Sequence, residues 1–538
     1  MANKPPPLSI YEEKIELMGT LKTSHFSQRT ARFLNPVAKN LNQSTPFLKP
    51  TQHSKPLFFK GWKPPPTTWP EWVNQMAGKH SAVWIKSGIL DSIMTSIYDI
   101  PYNHNIISTL SHFWTPKTNT FIFPWGEATI TLEDVTTLGG YSVTGDSVHA
   151  VASIPDLAGK VEVMNQFRSE LVRSKAKKAS HSKWIQMFMT NANQHPHENE
   201  HIGFLVFWLS RFVFPSGDKD SVGKHVIPIA VRLSQGVKLA LAPAVLAYIY
   251  HNLTKLKEQN LNTCVNLLGP FQLVQIWGYE RFPNVGPKSP NELRPGEPRL
   301  ARWHTLNSNV SSPFESFIWR PYAVDLKNWK QPLYYQDSEL VLSDSLSLDD
   351  DLRSFVCFVT PCELNGLGCK AEYHPHRVAM QFGFDQDIPG ECDLSGYKFV
   401  KFFVPSRLFR PGVSKRYSDW WDNADQMDLK NGKDSSMGEG MNVSVERKKC
   451  DFERVDLSLE DEFDDILVSL KKICNATKRK IDSLKQSCVD VPQSKKKKLG
   501  SEIWNGTNDN GGSSIFLLHD ASATLNLQSQ EIKAADNE

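Results

Sequence analysis

The chain has 538 residues, 40% of them hydrophobic and 11% aromatic, which is enough apolar material for a sizeable buried core. A net charge of +3 points neither toward nor away from nucleic acid, and eight scattered cysteines in a chain of this size read as reduced thiols. The opening "MANKPPPLSIYEEK" lacks the apolar core of a secretion signal, and the longest apolar run, Ile202 to Phe214, is too short for a bilayer and carries Arg211, so neither secretion nor a membrane span is expected.

Residues 1–58 are polar and punctuated by proline, and read as a flexible arm. Of the 15 tryptophans, all but Trp504 lie between Trp62 and Trp421. Large aromatics mark buried packing, so the folded part is placed at residues 59–422. In "SAVWIKSGILDSIMTSIYDI", Ile85, Ile89, Ile93 and Ile97 recur every fourth residue, which predicts an amphipathic helix with Ser81 as its N-cap.

The stretch "NTFIFPWGEATITLEDVTTLGGYSV" reads as two short strands, a tight turn and a capped helix. Thr131 and Asp134 stand at capping-box spacing, Leu132, Val135 and Leu138 at helical spacing, and Gly139 falls where a left-handed C-terminal cap belongs. A phosphate loop needs its glycines before a helix, where free N–H groups face the anion. Here they follow one, so they end a helix.

Around residues 150–200 the chain is charged and weakly patterned, with "SKAKKASHSK" reading as an exposed loop or helix end. Apolar helices are expected at Ile202 to Phe214, at Val237 to Leu253, where Pro243 starts or kinks the helix, and at Phe271 to Phe282. The prediction is a mainly α chain: a single helical domain with a small β-hairpin, flanked by a disordered N-terminal arm and C-terminal tail.

Residues 423–538 have tail composition, rich in Asp, Lys, Ser, Gly and Asn. One island interrupts them at residues 458–488. Phe463, Leu467, Leu470, Cys474, Thr477, Ile481, Leu484 and Cys488 alternate at heptad spacing behind an acidic first turn. It reads as a short coiled coil for weak self-association or as a marginal solvated helix. Two basic tracts overlap or follow it within residues 478–498: Lys478, Arg479 and Lys480, then Lys495, Lys496, Lys497 and Lys498. In tail composition they read as a two-part nuclear-import signal, and as a surface able to touch phosphates without sequence preference.

Three constellations invite a chemical reading. "HENEH" matches the zinc-protease pattern with His197, Glu198 and His201, but Pro196 would put the first ligand on a fraying turn. It stands as the zinc-hydrolase alternative. "GDSVH" has one residue too many between Asp146 and His149 for a two-metal phosphatase opening, and its partner motifs are missing. Cys357, Cys362, Cys369, His374, His376 and Cys392 cluster loosely, at spacings that do not match paired zinc ligands. They read as core cysteines and surface histidines, so no metal, cofactor or catalytic residue is assigned.

A set of ordered motifs resembles a known family. "FWTPKTNTFIFPWGEATITLEDVTTLGGYSVTGDSV", "HIGFLVFWLSRFVFPS", "LALAPAVLAYIYHNL", "GPFQLVQIWGYERFP", "FIWRPY", "YHPHRVAMQFGFDQDIP" and "FVPSRLFRPGVSKRYSDWW" together look like the plant mobile domain of MAINTENANCE OF MERISTEMS-like (MAIN-like) proteins, over about Lys60 to Trp421. The resemblance implies a non-enzymatic, mainly helical nuclear domain linked to meristem maintenance, transposable-element silencing and transcriptional regulation. It implies nuclear protein partners, phosphatase-like proteins of the same family context among them, and chromatin or nucleic acid, with no membrane. A transposon-derived DNA-binding protein is the other reading it leaves open. The family is also labelled aminotransferase-like, but no lysine here sits in a recognisable pyridoxal-phosphate context.

Overall fold

The structure is a computed structural model that describes residues 9–21, 25–39, 57–149, 155–173, 177–189, 197–215, 220–258, 265–308, 314, 316–342, 349–392 and 402–431. In chain order its strands and helices begin with β1 (Tyr11–Gly19), β2 (Ser27–Leu34), β3 (Leu57–Phe59), α1 (Trp69–Ser87), α2 (Leu90–Thr95) and α3 (His104–Phe113). The signature stretch supplies β4 (Trp114–Thr115), β5 (Thr120–Phe123), β6 (Gly126–Ala128) and α4 (Leu132–Gly139). There follow α5 (Pro155–Arg173), α6 (His181–Phe188), α7 (Glu200–Trp208), α8 (Ile227–Ser234), α9 (Leu241–Glu258), β7 (Val265–Leu267) and α10 (Gln272–Arg281). The last part holds β8 (Leu340–Leu342), α11 (Asp350–Val359), β9 (Cys362–Gly366), β10 (Cys369–Tyr373), β11 (Phe402–Val404), β12 (Val413–Ser414) and α12 (Lys415–Asn431).

The fold is mainly α with several small sheets. β4, β5 and β6 make an antiparallel meander, β9 pairs with β10 and β8 with β11, and β3 pairs in parallel with β7. One core runs through the helices. Trp69, Trp72, Trp84, Trp114, Trp184, Trp208 and Trp277 are all fully buried in it. α7 is apolar and buried at every residue from Ile202 on, and it continues as a π-helical turn at Leu209–Val213.

Local expectations met different outcomes. The capping box is present: Thr131 Oγ1 accepts from the Asp134 N–H, and Asp134 accepts the Thr131 N–H at 2.8 Å. The left-handed cap is Gly140, φ +68°, one residue beyond the expected Gly139. A Cβ there would lie 2.5 Å from the Ser92 backbone nitrogen, so the position also needs glycine for want of room. Ser81 caps nothing. It lies inside α1, which starts twelve residues earlier at Trp69, carries Pro70 in its first turn and ends at the left-handed Gly88. That glycine splits the expected isoleucine helix, leaving Ile85 64% exposed while Ile89 and Ile93 are buried. The weakly patterned region after residue 150 holds α5 and α6, which bury Met164, Trp184 and Phe188.

The largest difference concerns the expected flexible arm. β1 and β2 form an eight-pair antiparallel register from Tyr11–Leu34 to Met18–Ser27, and β12 adds to the other edge of β1. Charged strand residues hide this hairpin from a local reading, because their partners are far along the chain. Arg29 bonds both oxygens of Asp385, at 2.6 and 2.9 Å. Lys14 meets Asp387 at 3.1 Å, and Arg416 grips the same carboxylate with two nitrogens.

Candidate functional site

Helix α4 begins in a fully buried polar network. Asp134 Oδ1 accepts from Arg281 Nη2 at 2.7 Å and from the Tyr322 hydroxyl at 2.7 Å, while Arg281 Nη1 donates to the Trp319 carbonyl at 2.6 Å. Asp134 and Arg281 are both wholly inaccessible, so each charge depends on the other. Glu133 Oε1 accepts from Tyr334 and Tyr335, and its Oε2 has no hydrogen-bond partner among the described residues. Burial, then the adjacent Asp134 charge, pushes the Glu133 carboxyl up to about 7. The network ties α4 to α10 and to the segment 317–335. The glycine-closed stretch is therefore a structural hub.

The second polar concentration is the turn after β10. Pro375 starts a 3-10 segment, Pro375–Phe382, that extends from the β9–β10 hairpin. Side chains of this segment and of residues 385–387 after it tie it to several other parts of the fold. Arg377 makes a two-nitrogen contact with buried Glu127 of β6, at 2.7 and 2.9 Å. The Gln381 amide pairs with both backbone groups of Thr129, at 2.9 Å each. Gln386 closes back on the Ala379 N–H and the His376 carbonyl. Asp385 and Asp387 bind the hairpin and α12 as described. Burial opposes ionisation of Asp387, yet hydrogen bonds from Arg416 and Ser414 and the charges of Arg416 and Lys14 hold its carboxyl below the usual range.

This scaffold brings His374, His376 and Cys392 together, with one ligand atom of each lying within 4.8 Å of the others. The His374 Nε2 faces a Glu372 carboxylate oxygen at 3.0 Å, and the His376 Nε2 faces the Gly390 carbonyl at 3.2 Å. Both neighbours only accept, so each ring carries its proton on Nε2 and keeps its lone pair on Nδ1. Both Nδ1 atoms are buried and have no hydrogen-bond partner among the described residues. His376 is 3% exposed. Burial is the first cause that lowers the pKa of both rings, so both are neutral at physiological pH. The reading of these histidines as surface residues is corrected: a turn that starts at Pro375 folds both inward. Cys362, at the start of β9, has its thiol pushed up to about 12 by burial and then by Cys357 and Cys392.

The zinc-protease arrangement does not form. His197 precedes α7, accepts the Asn199 N–H at 3.0 Å on Nδ1, and packs against Phe167 and Phe188. His201 accepts the Trp84 indole N–H at 2.9 Å on Nε2 and stacks 3.8 Å from His80. Burial and His80 push its pKa down to about 3. Glu198 is exposed, and the buried acid is Glu200, against Trp72 and Lys79. Asp146 and His149 are likewise structural: Asp146 pairs with Arg232 at 3.1 Å and His149 with the Gly366 carbonyl at 2.8 Å. Lys478, Arg479, Lys480, Lys495, Lys496, Lys497 and Lys498, and the heptad run 463–488, lie outside the described residues.

The hub of buried acids, arginines and tyrosines and the polar turn joined to it both lie within a segment that matches a known family. The family model of the plant mobile domain matches residues 88–422, and the chain belongs to that family. Among curated proteins of Arabidopsis thaliana it is 27% identical to Serine/threonine-protein phosphatase 7 long form homolog, over 55% of this chain and 22% of that protein. It is 25% identical to Protein MAINTENANCE OF MERISTEMS, over 54% of this chain and 59% of that protein. It is 24% identical to Protein MAIN-LIKE 1, over 53% of this chain and 55% of that protein. The matched segment thus spans well under two thirds of each relative. No solved structure matches the chain.

Proposed function

We propose that this chain is a non-enzymatic nuclear protein that works through protein or chromatin partners, in the meristem-maintenance, transposable-element-silencing and transcriptional roles implied by its MAIN-like relatives. The observation that carries the reading is the use to which the polar side chains are put. Glu127, Asp134, His201, Arg281, Arg377, Asp385 and Asp387 all engage groups of their own fold. A general base or nucleophile must instead offer its lone pair to a substrate. The name of one relative, which speaks of the maintenance of meristems, supports the biological setting. Among the described residues no helix is long and apolar enough to cross a membrane.

Nuclear entry is assigned to the tail, with Lys495 to Lys498 as the principal basic tract and Lys478 to Lys480 as the secondary one. Phosphatase-like proteins of the same family context are the partner class this reading favours, since one relative carries a phosphatase name. The test is proximity labelling from the full chain in plant cells. Labelled chromatin and transcription proteins are expected; a profile of cytoplasmic proteins would overturn the reading.

A further inference from the structure

We infer that His374, His376 and Cys392 bind a zinc ion through the two Nδ1 atoms and the thiolate, clamping the turn after β10 to the stretch that carries Gly390 and Cys392. Two imidazoles and a sulfur are the donors of borderline-soft metals, whereas magnesium and calcium take oxygen. The two Nδ1 atoms are buried and unpartnered among the described residues, which is rare for polar atoms unless something else completes them, and a ligand atom of each ring lies within 4.8 Å of the other and of the Cys392 sulfur. The outer contacts are those of a metal site as well. Glu372 and the Gly390 carbonyl hold the protons on the far nitrogens, which fixes each ring in the metal-binding tautomer.

The distances fit with little movement. Tetrahedral zinc, with bonds of about 2.0 Å to nitrogen and 2.3 Å to sulfur, sets its donors roughly 3.5 Å apart. The present spread of up to 4.8 Å closes by about an ångström, within the reach of side-chain rotation. The supports are already rigid. Arg377 anchors the histidine turn to Glu127, and Gly390 donates to the Pro36 carbonyl at 2.8 Å. The ion therefore joins two segments that meet beside the N-terminal hairpin. Three protein donors leave the fourth position to water or to a group from a partner. Linear spacing hides the site, because fifteen residues separate His376 from Cys392 and none of the ligands forms a close cysteine pair.

The experiment uses the full chain, freed of metal by a chelator and titrated with zinc and with cobalt(II). We expect about one equivalent of either ion to bind. The cobalt form should show a thiolate-to-metal charge-transfer band that vanishes in Cys392→Ser and persists in Cys369→Ser and His201→Ala. Glu372→Gln, an exposed change that leaves the ligands in place, should weaken binding about 10–100-fold, and it serves as the test if Cys392→Ser does not fold. Binding that is absent, that keeps its charge-transfer band in Cys392→Ser, or that is unaffected by Glu372→Gln would overturn the assignment. Loss of the metal on His201→Ala instead would transfer the site to the zinc-protease motif and overturn the non-enzymatic reading too.

Discussion

Glu133 should make the stability of this fold fall as pH rises toward neutrality. The carboxyl is 1% exposed, shares a helix start with Asp134, and leaves one oxygen without a hydrogen bond among the described residues. Its folded pKa of about 7 stands above the ordinary 4.5, with burial the first cause and Asp134 the second. The folded state therefore binds the proton more tightly than the unfolded chain. Its contribution is fully present below the unfolded value and is lost as pH rises through the folded one. At about 1.4 kcal/mol per pH step, the loss between the two values reaches ~3 kcal/mol as an upper bound. Glu133→Gln is a neutral replacement of the same shape that still accepts from Tyr335. Its stability should track pH more flatly than the parent between about pH 5 and 8, and exceed the parent's at the upper end. Chemical denaturation of both proteins across that range measures the difference. Parallel curves with equal slopes would refute the assignment of a raised Glu133 pKa.

Arg281→Met strands the buried Asp134 charge and the Trp319 carbonyl, so it should cost about 3–5 kcal/mol, measured by denaturation against the parent. Asp387 behaves oppositely to Glu133: its folded pKa is depressed, so its contribution is present above the ordinary aspartate range and is lost as pH falls through the folded value. Asp387→Asn should lower stability at neutral pH and flatten the acid limb; an unchanged acid limb would count against the Arg416–Lys14 contacts. Limited proteolysis followed by native mass spectrometry should recover the β1–β2 hairpin with the resistant core, because Arg29, Arg32 and Lys14 bind it to residues 339–387. A core that begins near Leu57 without the hairpin would contradict that packing.

The sequence was most legible where one short segment carries its own instructions. Thr131 and Asp134 cap α4 by contacts three residues apart, and the glycines after Leu138 end it with an error of one position. It was least legible where the partner is remote. The hairpin Tyr11 to Leu34 looks polar because its arginines and lysine answer acids at 385 and 387. A cluster of one cysteine and two histidines forms because Pro375 turns the chain inward and the segment after Asp385 returns to it, which residue spacing does not encode. Ser81 has the right chemistry for a cap, but Pro70 and Glu71 had already started the helix. The alternation of charge in β1 was a usable signal. Lys14 lies between Glu12 and Glu16, which share its face of the strand, and both acids approach it within 4 Å.

The central functional claim, a nuclear protein addressed by its tail, is tested most directly by the partition of a fluorescently tagged full chain between nucleus and cytoplasm. At 61.0 kDa the chain is too large to equilibrate freely through nuclear pores, so steady-state position reports active import. The account predicts a nuclear protein that moves to the cytoplasm when Lys495, Lys496, Lys497 and Lys498 become Ala, with a smaller shift for Lys478, Arg479 and Lys480. A parent chain that stays cytoplasmic, or full nuclear retention after all seven substitutions, would contradict it.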